Sequence, residues 1–82
     1  MHAFHYVYRL RSEPVPSQIY TGLTDDLEAR LRHHNSGACP HTSKYRPWRL
    51  ESAVAFRSRE KAAAFEAYLK SGSGREFARR HF

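Results

Sequence analysis

The chain has 82 residues, enough for one domain spanning 1–82 and too few for a second, with about 60–65% of the unfolded surface buried at that size. Fourteen lysines and arginines against eight acids leave a net charge of +6 before the six histidines are counted, which favours a polyanionic partner such as nucleic acid. Cys39 is the single cysteine, excluding an internal disulfide and a cysteine-rich zinc site. No apolar run approaches the roughly 20 residues of a membrane span, and Met1 to His5 lacks the charged-then-apolar build of a secretion signal. A cytoplasmic domain, used whole and with no membrane partner, is expected.

Phe4 to Leu10 alternates, with Phe4, Tyr6, Tyr8 and Leu10 on one side and His5, Val7 and Arg9 on the other, and this predicts a strand. Pro14 and Pro16 make Ser12 to Ser17 a loop. Gln18 to Thr21 resumes β-forming residues and is expected to stop at Gly22, giving a hairpin. Thr24 or Asp25 is expected to cap a helix with Asp25, Asp26 and Glu28 at its positive end and Arg30, Arg32, His33 and His34 at its negative end. Leu27 and Leu31 supply its buried stripe, and Asn35-Ser36-Gly37 stops it. Ala38 to Pro47 has no period and reads as a basic surface loop. Trp48 to Phe56 predicts a third strand, with Trp48, Leu50, Val54 and Phe56 inward and Arg49 and Glu51 outward. Ser58 caps a second helix running to about Ser71 and ending at Gly72. Gly72 and Gly74 are expected to separate it from a shorter helix, Arg75 to His81, anchored by Phe77. The order β-β-α-β-α-α predicts an α+β fold, a three-stranded antiparallel or mixed sheet flanked by helices.

Glu66 is the sharpest anomaly. Ala62, Phe65 and Leu69 form the buried stripe of the second helix, and Glu66 occupies the same stripe, where an unpaired carboxylate costs several kcal/mol. It either binds a cation, pairs with an arginine, or reaches water at the stripe's edge. Arg30 and His34 stand four apart and share one helix face; alone, that spacing equally describes cations answering the helix dipole. His33 lies about 100° round the helix from His34. His2, His5, His41 and His81 read as surface residues. Tyr8 and Tyr20 either share one pocket across the hairpin or are two core aromatics. Tyr6 has the same core reading, while Tyr45 stacks on nucleic acid or on its own loop. Asp25 and Asp26 at a helix start read as capping residues rather than a metal pair.

Tyr6-Val7-Tyr8, eleven residues, then Tyr20-Thr21-Gly22 resembles the paired strand motifs of the GIY-YIG nuclease domain. Tyr6 replaces the first glycine and Thr21 the isoleucine. Arg30 stands ten residues after Tyr20 as the family's helix arginine does, His34-Asn35-Ser36-Gly37 follows, and Glu66 matches the family's metal-binding glutamate. The resemblance spans about Tyr6 to Lys70 and is nearest to small stand-alone bacterial members related to the nuclease domain of the excision-repair incision subunit. Leu23 replaces that enzyme's lysine, and Ala78 stands about where several relatives carry a supporting asparagine.

The resemblance implies a divalent-metal-dependent endonuclease acting on DNA, structure-selective or weakly sequence-specific, in repair or processing. A nucleic-acid-binding module that has kept the fold without the chemistry is the alternative. Glu66 would hold one Mg²⁺ or Mn²⁺. Tyr8, or else Tyr20, would be the general base, which needs help because a phenol titrates near 10. Arg30 would bind the scissile phosphate, and His34 would orient or accept the tyrosine proton. Arg9, Lys44, Arg46, Arg49 and Arg75, with Arg79 and Arg80, would carry salt-sensitive substrate binding. A monomer or weak homodimer, aimed by a targeting protein, is expected.

Overall fold

The computed structural model describes residues 3–82; His2 lies outside them. The elements are β1 (His5–Ser12), β2 (Ile19–Thr24), α1 (Leu27–Asn35), a single 3₁₀ turn (Ser43–Tyr45), β3 (Trp48–Phe56), α2 (Arg59–Leu69) and α3 (Gly72–His81). The sheet order is β2-β1-β3 and both pairings are antiparallel, so the α+β expectation holds and the mixed option falls away. Among the described residues, no helix is long and apolar enough to cross a membrane.

Central β1 is covered on both faces. Tyr8 and Leu10 pack with Trp48 against Leu27 and Leu31 of α1, whereas Val7 packs with Ala62, Leu69 and Ala78 of α2 and α3. The β3 register explains a correction. Arg9 pairs with Ser52 but Leu10 pairs with Leu50, leaving Glu51 as an extra residue, and such a bulge reverses which face the following side chains take. Trp48 therefore joins the α1 side and Phe56 the α2 and α3 side, instead of sharing one inward face. Leu50 is exposed. Glu51 at the bulge accepts from Arg11 Nε at 2.7 Å.

Three boundaries also differ. Strand β2 runs through Gly22 to Thr24, because the glycine serves a neighbour's side chain rather than a turn. The cap of α1 is Asp26, whose Oδ1 accepts from Ala29 N, in place of Thr24 or Asp25; Thr24 Oγ1 instead accepts from Asp26 N. Helix α3 begins at Gly72 rather than Arg75, since Ser71 Oγ accepts from Gly74 N and supplies the cap. Gly74 is a point of close approach, where a Cβ would collide with the Tyr68 carbonyl. Ser58 caps α2 as expected.

Candidate active site

Tyr8 sits at the centre of β1, 2% exposed, with Gly22 directly opposite on β2. A Cβ on Gly22 would collide with the Tyr8 hydroxyl and ring; the missing side chain is the space the phenol occupies. Tyr8 Oη lies 3.1 Å from His34 Nε2. The Tyr20 ring, two residue pairs along, is 4.7 Å from the His34 ring and 6.2 Å from that of Tyr8, centroid to centroid. His34 follows Leu27 and Leu31 at one and two helical turns, so the apolar stripe of α1 carries its imidazole into the same layer.

His34 is buried, and its Nδ1 lies 3.0 Å from Thr42 Oγ1. The loop bearing Thr42 is held from both ends. Trp48 Nε1 donates to the Thr42 carbonyl at 2.9 Å, while Asn35 accepts from Trp48 N at 2.6 Å and donates to Trp48 O at 3.0 Å. The C-terminus of α1 is thereby tied to the start of β3.

Burial pushes the Tyr8 phenol well above its ordinary range; Tyr20, Glu66 and Cys39 add to the rise, and Arg30 opposes it. His34 is shifted the other way, its pKa lowered by burial first and then by Arg30 and His33, so the ring is neutral at neutral pH. Arg30 lines a recess of about 350 Å³ with Thr24, Asp25, Asp26, Ala29 and His33.

Glu66 is half-buried on the α2 stripe, and its Oε2 accepts from Lys70 Nζ at 3.2 Å. Its side chain remains 24% exposed. The pairing partner is the lysine one turn on rather than the expected arginine, because Lys70 shares the helix face of Glu66 at i+4. No group of three or more His, Cys, Asp and Glu is gathered among the described residues. A lone carboxylate with solvent access suits Mg²⁺ or Mn²⁺, hard ions that keep several waters and take remaining oxygens from substrate. Glu66 fits that demand as a single ligand, with Lys70 as its present counter-charge.

The basic residues divide into two groups. Arg9 and Arg75 line a recess of about 500 Å³ together with Lys70, Tyr20, Gln18 and Thr21. Arg9 is half-buried, its guanidinium 5.8 Å from the Phe82 ring centroid, and no carboxylate pairs with it among the described residues. Lys44, Arg46 and Arg49 stand apart from that recess: Lys44 lies over the Tyr45 ring, Arg46 packs against Gly37, and Arg49 is 4.0 Å from Glu51. Arg79 and Arg80 both pair with Glu76. Tyr45 packs edge-on to Trp48, within its own loop. Leu23 packs against the Val7 cluster and Ala78 is buried in it. Sequence reasoning passed over Lys70, Asn35 and Thr42. The α2 spacing marked Lys70, whereas nothing in an aperiodic loop marked Thr42.

A family model described as the GIY-YIG catalytic domain matches residues 4–80. The chain is 37% identical over 73 residues to the UPF0213 protein BH0048 of Halalkalibacterium halodurans, covering 88% of this chain and 76% of that one. It is also 42% identical over 71 residues to the structure-specific endonuclease subunit SLX1 of Scheffersomyces stipitis, covering 78% of this chain. The match spans 21% of the length of that subunit. Among solved structures, the solution NMR structure of UPF0213 protein BH0048 from Bacillus halodurans superposes with a TM-score of 0.54 at 35% identity, covering 92% of this chain and 81% of that one.

Proposed function

The chain belongs to the GIY-YIG catalytic domain family, and we propose on that basis that it is a nuclease hydrolysing phosphodiester bonds in DNA with one divalent ion. The observation that carries the reading is the buried Tyr8 hydroxyl in hydrogen-bond contact with His34 Nε2, with the Tyr20 ring against the imidazole.

Burial resists formation of a free tyrosinate, so Tyr8 works as a relay. As water attacks phosphorus, Tyr8 Oη takes its proton while passing its own to His34 Nε2. The new P–O bond forms, the bond to the departing 3′-oxygen breaks, and that oxygen takes a proton from solvent. Arg30 holds the negative phosphate. The Tyr20 hydroxyl, which makes no hydrogen bond among the described residues, is left for substrate. Glu66 would hold the metal, which when bound supplies positive charge to the phosphate oxygens. The recess lined by Arg9, Lys70 and Arg75 takes a neighbouring backbone phosphate, and each such contact makes binding fall with salt.

The SLX1 relative is named as a structure-specific endonuclease subunit, which supports branched or otherwise non-linear DNA as substrate and a partner protein that aims the domain. We extend the reading to a cytoplasmic repair or processing role, as monomer or weak homodimer. Branched and linear duplexes incubated with Mg²⁺ or Mn²⁺ test it: the branched form is cut, and Glu66→Ala abolishes cutting while gel-shift affinity stays. Absence of cutting on every substrate, or equal loss of binding in Glu66→Ala, overturns it.

A further inference from the structure

We infer that Thr42 is a positioning residue that accepts the Nδ1 proton of His34, so that the tautomer Tyr8 demands, with Nε2 free to accept, is held without an unsatisfied buried donor. The inference rests on the nuclease reading for its consequence in rate, and on hydrogen-bond accounting for its structural part. Tyr8, His34 and Thr42 are each about 2% exposed, so in the substrate-free protein their hydrogen bonds are met largely by one another, and no buried side-chain polar atom among the described residues lacks a partner.

Tyr8 Oη has one hydrogen-bond partner there, His34 Nε2. If Nε2 carried a proton, both it and the phenol would be donors and the buried hydroxyl hydrogen would have no acceptor, at the full cost of desolvation. Nε2 is therefore the acceptor, and a neutral ring must carry its proton on Nδ1. That proton goes to Thr42 Oγ1 at 3.0 Å. The Thr42 hydroxyl in turn donates to the Cys39 carbonyl at 3.4 Å, so its oxygen is free to accept. The chain of donors runs one way, from Tyr8 through His34 and Thr42 to the Cys39 backbone.

Thr42 is itself fixed at every polar atom. Its amide donates to Cys39 O at 3.2 Å, and its carbonyl accepts from Tyr45 N at 3.1 Å and from Trp48 Nε1 at 2.9 Å. When His34 takes up the Tyr8 proton, Thr42 Oγ1 already faces the Nδ1–H of the resulting imidazolium and stabilises it without rearrangement. The other titratable or charged groups facing His34 are Tyr20 from β2, and Arg30 and His33 on α1.

The test compares Thr42→Val, which keeps the shape and removes the hydroxyl, with Thr42→Ser, which keeps the hydroxyl. Imidazole ¹⁵N NMR of the metal-free protein reports the tautomer without any need for activity. Wild type and Thr42→Ser are expected to show a hydrogen-bonded Nδ1–H, whereas in Thr42→Val the Nδ1–H has lost its acceptor and its ¹⁵N and ¹H signals shift. With branched DNA and Mn²⁺, Thr42→Val should lower kcat about tenfold to a hundredfold with KM little changed, and Thr42→Ser should restore most of it. An unchanged Nδ1–H signal in Thr42→Val overturns the inference, as does a Thr42→Ser variant that folds, shown by its melting temperature, yet falls as far in kcat. If the wild type itself does not cut, the nuclease reading fails while the NMR comparison still decides the tautomer.

Discussion

The two faces of the sheet are built from opposite materials. Against α2 and α3 the buried residues are Val7, Ala62, Leu69 and Ala78, an apolar cluster completed by Phe56, Phe65 and Phe77. On the α1 side lie the buried polar side chains Ser12, Thr24, His34 and Thr42, beside Tyr8, Leu10 and Trp48. Every buried polar side-chain atom among the described residues has a hydrogen-bond partner, so the α1 face gives up apolar contact for a directed network. One face stabilises and the other positions.

The largest expected effect breaks the α1 side alone. His34→Ala should lower single-turnover cleavage of branched DNA about a hundredfold to ten-thousandfold, with DNA affinity by gel shift nearly unchanged. The mirror experiment is Leu69→Ala, expected to cost about 2–5 kcal/mol in denaturant unfolding while leaving the pH profile of any remaining activity intact. A change in that profile would mean that the apolar face also tunes the chemistry.

That division was only partly legible in the sequence. Strand alternation, the stripe of α2 and the Ser58 cap are local patterns, and local patterns survive folding. The break in face along β3 left no trace, because Trp48, Leu50, Val54 and Phe56 keep even spacing through the bulge at Glu51. Gly22 read as a stop because its reason lies on another strand, under the Tyr8 ring. Glu66 drew notice as a misfit with the stripe, whereas the shared helix face of Arg30 and His34 equally described cations answering the helix dipole, and only the family resemblance singled them out. Thr42 contributes through contacts to residues three to eight positions away in and beside an aperiodic loop, which no helix or strand period encodes.

A smaller effect sharpens the contrast through pH. The His34 pKa is lower in the folded protein than its ordinary value, so as pH falls through about 6.5 the unfolded chain takes up the proton first. Stability is therefore full above that range and is lost as pH drops toward the depressed folded value. Urea melts of wild type and His34→Gln should converge at acid pH; parallel curves would show that the imidazole titrates alike in both states. Cleavage should fall on the same acid side, since a protonated His34 cannot accept from Tyr8. The smallest expected effect is Arg32→Ala, which removes an exposed pair with Glu28 on the outer side of α1 and should leave the melting temperature unchanged.

The most direct test of the account is Tyr8→Phe, which deletes one oxygen and keeps the ring against Gly22. Single-turnover cleavage of branched DNA with Mn²⁺ should drop at least a hundredfold, with gel-shift affinity held and the fold intact by circular dichroism. Cleavage at the wild-type rate would show that the buried phenol moves no proton, and the relay through His34 would be wrong.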